Sequence, residues 1–177
     1  SVKQPCSLNR LSNLIKATGT PCSPSTVMEY VRYLQESCLL ISIDNYVSKF
    51  VEKETIKKHY FVDNGLLHLF INNPNTSLLE NLCAITLYKK YAKGLYYYNK
   101  NIEVDFYVPD EGLAVQASYQ MSDGETIERE VKALVALHGL HPLKRAMIIT
   151  YEDEGEIVRD GLRIEIKPAW KWVLEGL

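Results

Sequence analysis

The chain has 177 residues, of which 46% are hydrophobic and 24% charged. This is enough apolar material for one medium domain or two small ones, and it excludes a disordered tail. The formal charge of −2 excludes a strongly basic polyanion binder, so any contact with nucleic acid has to rest on a local patch.

A helix is predicted from Ser7 to Thr18, with Leu8, Leu11, Leu14 and Ile15 at helical spacing and Gly19 as its stop. Ser23 then caps a second helix with Pro24 at its first position, and Val27, Tyr30, Val31 and Leu34 give it one apolar face. Leu39–Tyr46 and Lys58–Val62 read as strands. Two helices followed by a hairpin make the order of a winged helix. The wing would be Val47–Lys57, carrying Lys49, Lys53 and Lys57. A short helix, Leu66–Phe70, ends at Asn72-Asn73-Pro74-Asn75. The module boundary is placed here, giving residues 1–75 and 76–177.

Ser77 with Glu80 three residues on reads as a capping box opening the next helix. Three strands follow, Leu95–Tyr98, Ile102–Val108 and Leu113–Tyr119, with turns at Asn99–Asn101 and Pro109–Gly112. A helix from about Asp123 to Gly139 buries Ile127, Val131, Leu134 and Leu137. The strands Arg145–Thr150 and Gly161–Ile166 and a helix over Pro168–Leu174 complete the chain. The fold class is α/β: a winged-helix-like module, then a core with a mixed sheet.

Strand alternation puts Glu103 and Asp105 on one face, opposite Val104 and Phe106. Gln116 and Ser118 share a face on the next strand, opposite Ala117 and Tyr119. If the two strands pair across Pro109–Gly112, these polar faces meet, and Glu80 can approach from the preceding helix. Phosphodiester hydrolysis in such a layout needs carboxylates around a hard cation such as Mg²⁺, and a cation or base to help form the attacking hydroxide.

The order helix–three strands–helix–strand, with Asp105 on the second strand, resembles the restriction-endonuclease-like superfamily and its PD-(D/E)xK signature. The resemblance implies a metal role for Asp105 and Gln116 with Glu80 as the helix carboxylate; with Glu103 on the face of Asp105, the candidate metal site is Glu80, Glu103, Asp105 and Gln116. It also implies an acid, any residue and a lysine on the third strand, where this chain has Gln116-Ala117-Ser118. Ser118 carries no charge, so the site is degenerate; Lys132, on the following helix, is the candidate for a migrated cation.

The strings Tyr60-Phe61-Val62-Asp63-Asn64-Gly65-Leu66, Leu79-Glu80-Asn81, Glu103-Val104-Asp105-Phe106, Val115-Gln116-Ala117-Ser118-Tyr119 and Thr126-Ile127-Glu128-Arg129-Glu130 are similar to the C-terminal region (DUF4143) of prokaryotic AAA-type ATPases. This implies an N-terminal ATPase module as partner. ATP belongs to that module alone, because the chain has no GxxxxGK[ST] loop. The opening Ser1 in place of a methionine fits a piece of a longer protein.

DNA docking through the second helix would present Ser25, Thr26, Glu29, Arg32, Tyr33 and Glu36, a poor face for phosphates. The wing lysines are better, diluted by Glu52 and Glu54. Glu128, Arg129 and Glu130 point in successive directions on a helix and do not converge. His138 reads as a helix C-terminal residue, and Tyr96-Tyr97-Tyr98 as a strand that buries one or two of its rings rather than a base-stacking surface. Cys6, Cys22, Cys38 and Cys83 form no CxxC pair, so they read as thiols in a reducing cytoplasm rather than as zinc ligands. With no signal peptide and no run of eighteen apolar residues, the expectation is a cytoplasmic protein with no membrane partner. The leading function is a non-catalytic recognition or assembly module touching DNA or a protein partner. The alternatives are a metal-dependent nuclease with an altered site and a pure protein-interaction module.

Overall fold

The computed structural model describes residues 4–71, 75–121 and 124–176. The turn expected at Asn72–Pro74 and the helix start expected at Asp123 lie outside the described residues.

Among the described residues the protein is a mixed α/β structure built on one nine-stranded sheet. In chain order the elements are β1 (Cys6–Ser7), α1 (Leu8–Ala17), α2 (Pro24–Glu36), β2 (Leu40–Asn45), α3 (Phe50–Thr55), β3 (Ile56–Phe61) and α4 (Asn64–His68). They continue with α5 (Asn75–Tyr91), β4 (Tyr96–Asn99), β5 (Glu103–Val108), β6 (Leu113–Ala117), α6 (Gly124–Leu140), β7 (Arg145–Thr150), β8 (Gly155–Arg159), β9 (Leu162–Pro168) and α7 (Ala169–Glu175). The strand order is β1-β3-β2-β4-β5-β6-β7-β9-β8. The parallel pairing of β2 with β4, at Asp44–Tyr96 and Asn45–Tyr97, carries the sheet across residue 75.

Apolar side chains leave both faces of this sheet, so helices cover both. Leu79, Cys83, Ala84 and Leu87 of α5 and Trp172 of α7 pack with Ile41, Tyr60, Phe106 and Met147 on one face. Val131, Leu134 and Leu137 of α6 pack with Tyr107, Ala114, Ile148 and Ile164 on the other.

The first part departs from its expected form in two ways. The segment expected as a wing loop contains α3, and β3 begins two residues early, at Ile56. Glu52 accounts for the helix: its carboxylate accepts from the Lys49 amide at 3.2 Å and satisfies a first-turn donor. The expected apolar face of α2 buries only Val27, while Tyr30 and Leu34 are exposed. Ser23 does cap α2, accepting from the Thr26 amide, and Ser7, which the sequence placed at the start of the first helix, caps α1 by accepting from the Arg10 amide.

In the second part α5 starts at Asn75. Ser77 therefore lies inside the helix, and Glu80 is buried rather than capping. Strand β8 was not expected, because its residues are almost all exposed and show no alternation. The Asp160-Gly161 pair, both with positive φ, folds it back on β9, as two-residue hairpin turns require. Gly112 has φ +59°, and a Cβ there would stand 3.1 Å from the Lys144 backbone nitrogen. Gly112→Ala should therefore lower stability by about 1–2 kcal/mol or more in urea denaturation, from left-handed strain and crowding of the turn before β7.

Candidate functional site

A cleft of about 760 Å³ opens between β5, β6, α5 and α6. Glu80, Glu103, Asp105, Gln116, Arg129, Glu130 and Lys132 line it. The sequence-derived carboxylates Glu80, Glu103 and Asp105 are thus brought together.

Strand irregularity shapes the cleft floor. The register of β4 against β5 slips between Tyr96 and Tyr98, so β5 carries one extra residue there. The slip breaks the expected alternation: Val104 packs in the α6-side core and Phe106 in the α5-side core. Bulges commonly re-aim a side chain in this way. Beyond Phe106–Val115 the β5–β6 backbone ladder stops, and side chains take over its bonds. The Asp105 amide donates to Gln116 Oε1 at 2.8 Å, and Gln116 Nε2 donates to the Glu103 carbonyl at 3.0 Å. The Ala117 amide donates to Asp105 Oδ2 at 3.1 Å.

The centre of the cluster is a residue that the sequence did not single out. Lys58, on β3, is 0% exposed. Its Nζ lies 3.1 Å from Asp105 Oδ1, 3.3 Å from Glu103 Oε1 and 3.5 Å from Glu80 Oε1. It also stands 5.6 Å from the centre of the Tyr97 ring. Tyr60, two residues on and on the same face of β3, donates its hydroxyl to Glu80 Oε1 at 2.9 Å. Burial opposes the charge on Lys58, but Asp105, Glu80 and Glu103 outweigh it and hold the ammonium above its ordinary pKa. Burial, with Glu80 beside it, pushes the Tyr60 phenol well up. Lys58 was missed because the expected module boundary assigned it to a different unit from its three partners. The available signal was position: Lys58 falls between Ile56 and Tyr60 in the period-two pattern of β3.

The other candidates do not join this cluster. Ser118 is buried and donates to the Gln120 carbonyl at 3.3 Å. Lys132 sits on the cleft wall, 71% exposed, and pairs with Glu128 at 3.5 Å. Arg129 binds its neighbour Glu130 at 2.7 Å. Burial raises the Glu130 pKa, Arg129 pulls it back, and the charges of Asp105 and Glu103 add to the rise. His138 Nδ1 accepts from the Leu143 amide at 3.0 Å, closing the turn after α6.

A Mg²⁺ ion implied by the nuclease resemblance does not fit these residues as they stand. Both functional atoms of the Gln116 amide are taken by the β5 backbone. The carboxylates converge on an ammonium, and among the described residues no group of three His, Cys, Asp or Glu side chains is placed to hold a metal ion.

The basic candidates of the first part are dispersed. Lys57 pairs with Asp44 at 2.8 Å, Arg32 with Glu36 at 3.3 Å, and Lys53 lies over the Tyr96 ring. The Lys49 amide is held in the α3 cap. Beside Lys57, His59 shares a 2.8 Å hydrogen bond with Ser42. Burial first and the Lys57 charge second lower its pKa from 6.5 to about 4. The folded state then binds the proton less well than the unfolded chain. The stability His59 contributes is complete above pH 6.5 and is lost as the pH falls towards 4, by at most about 3 kcal/mol. His59→Gln should flatten the urea-denaturation profile in that window.

Among the described residues no helix is long and apolar enough to cross a membrane. No family model matches the chain. No solved structure matches it at a significant level. An uncharacterized protein of Methanocaldococcus jannaschii is 31% identical to it over 95% of this chain. The chain spans 40% of that relative's length.

Proposed function

We propose that this chain is a non-catalytic recognition or assembly module of an AAA-type ATP-binding protein, with a winged-helix-like first part on a restriction-endonuclease-like core. The observation that carries this is the Lys58 ammonium filling the carboxylate centre, while the Gln116 amide is tied to backbone. Hydrolysis needs a bound hard cation and a means of making hydroxide. Neither is supplied by a buried lysine whose charge is held by three carboxylates. The succession of α5, β4, β5, β6, α6 and β7, with β6 and β7 parallel, agrees with the nuclease-like core. The greater length of the archaeal relative agrees with a module inside a larger protein.

For the recognition role, protein contact has more support than DNA contact. Arg32 and Lys57 are engaged by acids, whereas Leu14, Met28, Tyr30 and Tyr33 of the α1–α2 hairpin are each at least half exposed. Purified protein incubated with labelled DNA or RNA and Mg²⁺ or Mn²⁺ should leave both uncut, at the level of Asp105→Ala. Metal-dependent cleavage abolished by Asp105→Ala would establish the nuclease reading instead.

A further inference from the structure

We infer that the ammonium of Lys58 is the resident cation of this acidic centre, standing in for a divalent metal ion, and that it closes the centre to metals. Removing it should turn Glu80, Glu103 and Asp105 into a divalent-cation site. The inference deepens the non-catalytic reading above, and its test reads metal binding rather than cleavage.

The centre already ligates a cation. Carboxylates from α5 and β5 surround one nitrogen delivered by a third element, β3, at 3.1 to 3.5 Å. The lysine is fully buried, while the side chains of Glu80, Glu103 and Asp105 are 6%, 44% and 17% exposed. Glu80 keeps the Tyr60 hydroxyl and Asp105 keeps the Ala117 amide, but loss of the ammonium takes away the cation that all three carboxylates share and leaves a demand for positive charge. The cleft gives a route for it, since all three carboxylates line that opening.

Hard divalent cations bind carboxylate oxygen at about 2.0–2.6 Å. The oxygens therefore have to draw in by roughly an ångström from their present spacing, with water completing the shell. The exposed Glu103 side chain has that freedom. Asp105 is held by the Ala117 amide at one oxygen and keeps the other towards Lys58. A metal in this place would not need Gln116, whose amide atoms stay on the β5 backbone.

The test compares wild type, Lys58→Ala and Lys58→Ala/Asp105→Asn by thermal unfolding with and without Mn²⁺ or Ca²⁺, and by Mn²⁺ titration. Wild type should be indifferent to both ions. Lys58→Ala should be destabilised, should recover melting temperature as Mn²⁺ rises, and should bind Mn²⁺ at least about tenfold more tightly than wild type. The double variant should show no such recovery. If Lys58→Ala folds only when refolded with Mn²⁺ or Ca²⁺, the inference also holds. It is overturned if wild type binds Mn²⁺ as well as the variant does. It is equally overturned if Lys58→Ala is unfolded or unresponsive with either ion while the double variant folds. Such failures leave the non-catalytic reading standing as long as wild type cuts nothing. Cleavage by wild type would remove that reading whatever the variants bind.

Discussion

Lys58→Met is expected to lower the unfolding free energy by about 3–5 kcal/mol, the range for removing one member of a buried ion cluster. Methionine keeps most of the volume and all of the apolar contact, so the loss reports charge rather than packing. What remains is Asp105, Glu103 and Glu80 without the ammonium they share. A second change, Asp105→Asn, removes one of those charges and should restore part of the stability. The two effects would then be non-additive, as side chains in contact require. The pH dependence has a definite sign. The folded pKa of Lys58 is raised, so its contribution is complete below the ordinary lysine pKa and is lost as the pH rises above it. Urea denaturation from neutral to alkaline pH reads both effects.

Asn81→Leu is expected to cost about 2–4 kcal/mol, because several polar groups lose their partner at once. Asn81 is fully buried on α5. Its Oδ1 accepts from the Phe61 amide at 2.8 Å, and its Nδ2 donates to the Phe61 carbonyl at 2.9 Å and to Asn64 Oδ1 at 2.8 Å. Among the described residues β1 pairs with β3 at Ile56 and Lys57, and the Asn81 side chain bonds both backbone groups of Phe61 at the other end of β3. Urea denaturation should show the loss. Faster hydrogen exchange at the Phe61 amide should accompany it, which a general packing defect in α5 would not single out.

Local signals foretold the elements well where a cap or a period fixed them. Ser23 caps its helix, and the Pro109–Gly112 turn brings β5 against β6. Glu80, Glu103 and Asp105 meet in one cleft. The failures lie where tertiary pairing overrides local pattern. A bulge in β5, invisible in the alternation of Glu103 to Phe106, sends Val104 and Phe106 to opposite cores. Ser77 and Glu80 have the spacing of a capping box, yet burial against Tyr60 and Lys58 gives Glu80 a different task. Lys58 was hidden because its partners are at least 22 residues away in sequence, across the parallel β2–β4 junction. Lys132 looked better placed, being on the helix after the third strand, but it stands exposed at the rim beside Glu128.

The acidic centre holds its own cation, the Lys58 ammonium. Calorimetric titration of the unaltered protein with Mn²⁺ at neutral pH tests it most directly. No saturable heat is expected below millimolar metal, with the same flat trace for Asp105→Asn. One stoichiometric site of micromolar affinity in the unaltered protein, abolished by Asp105→Asn, would contradict it.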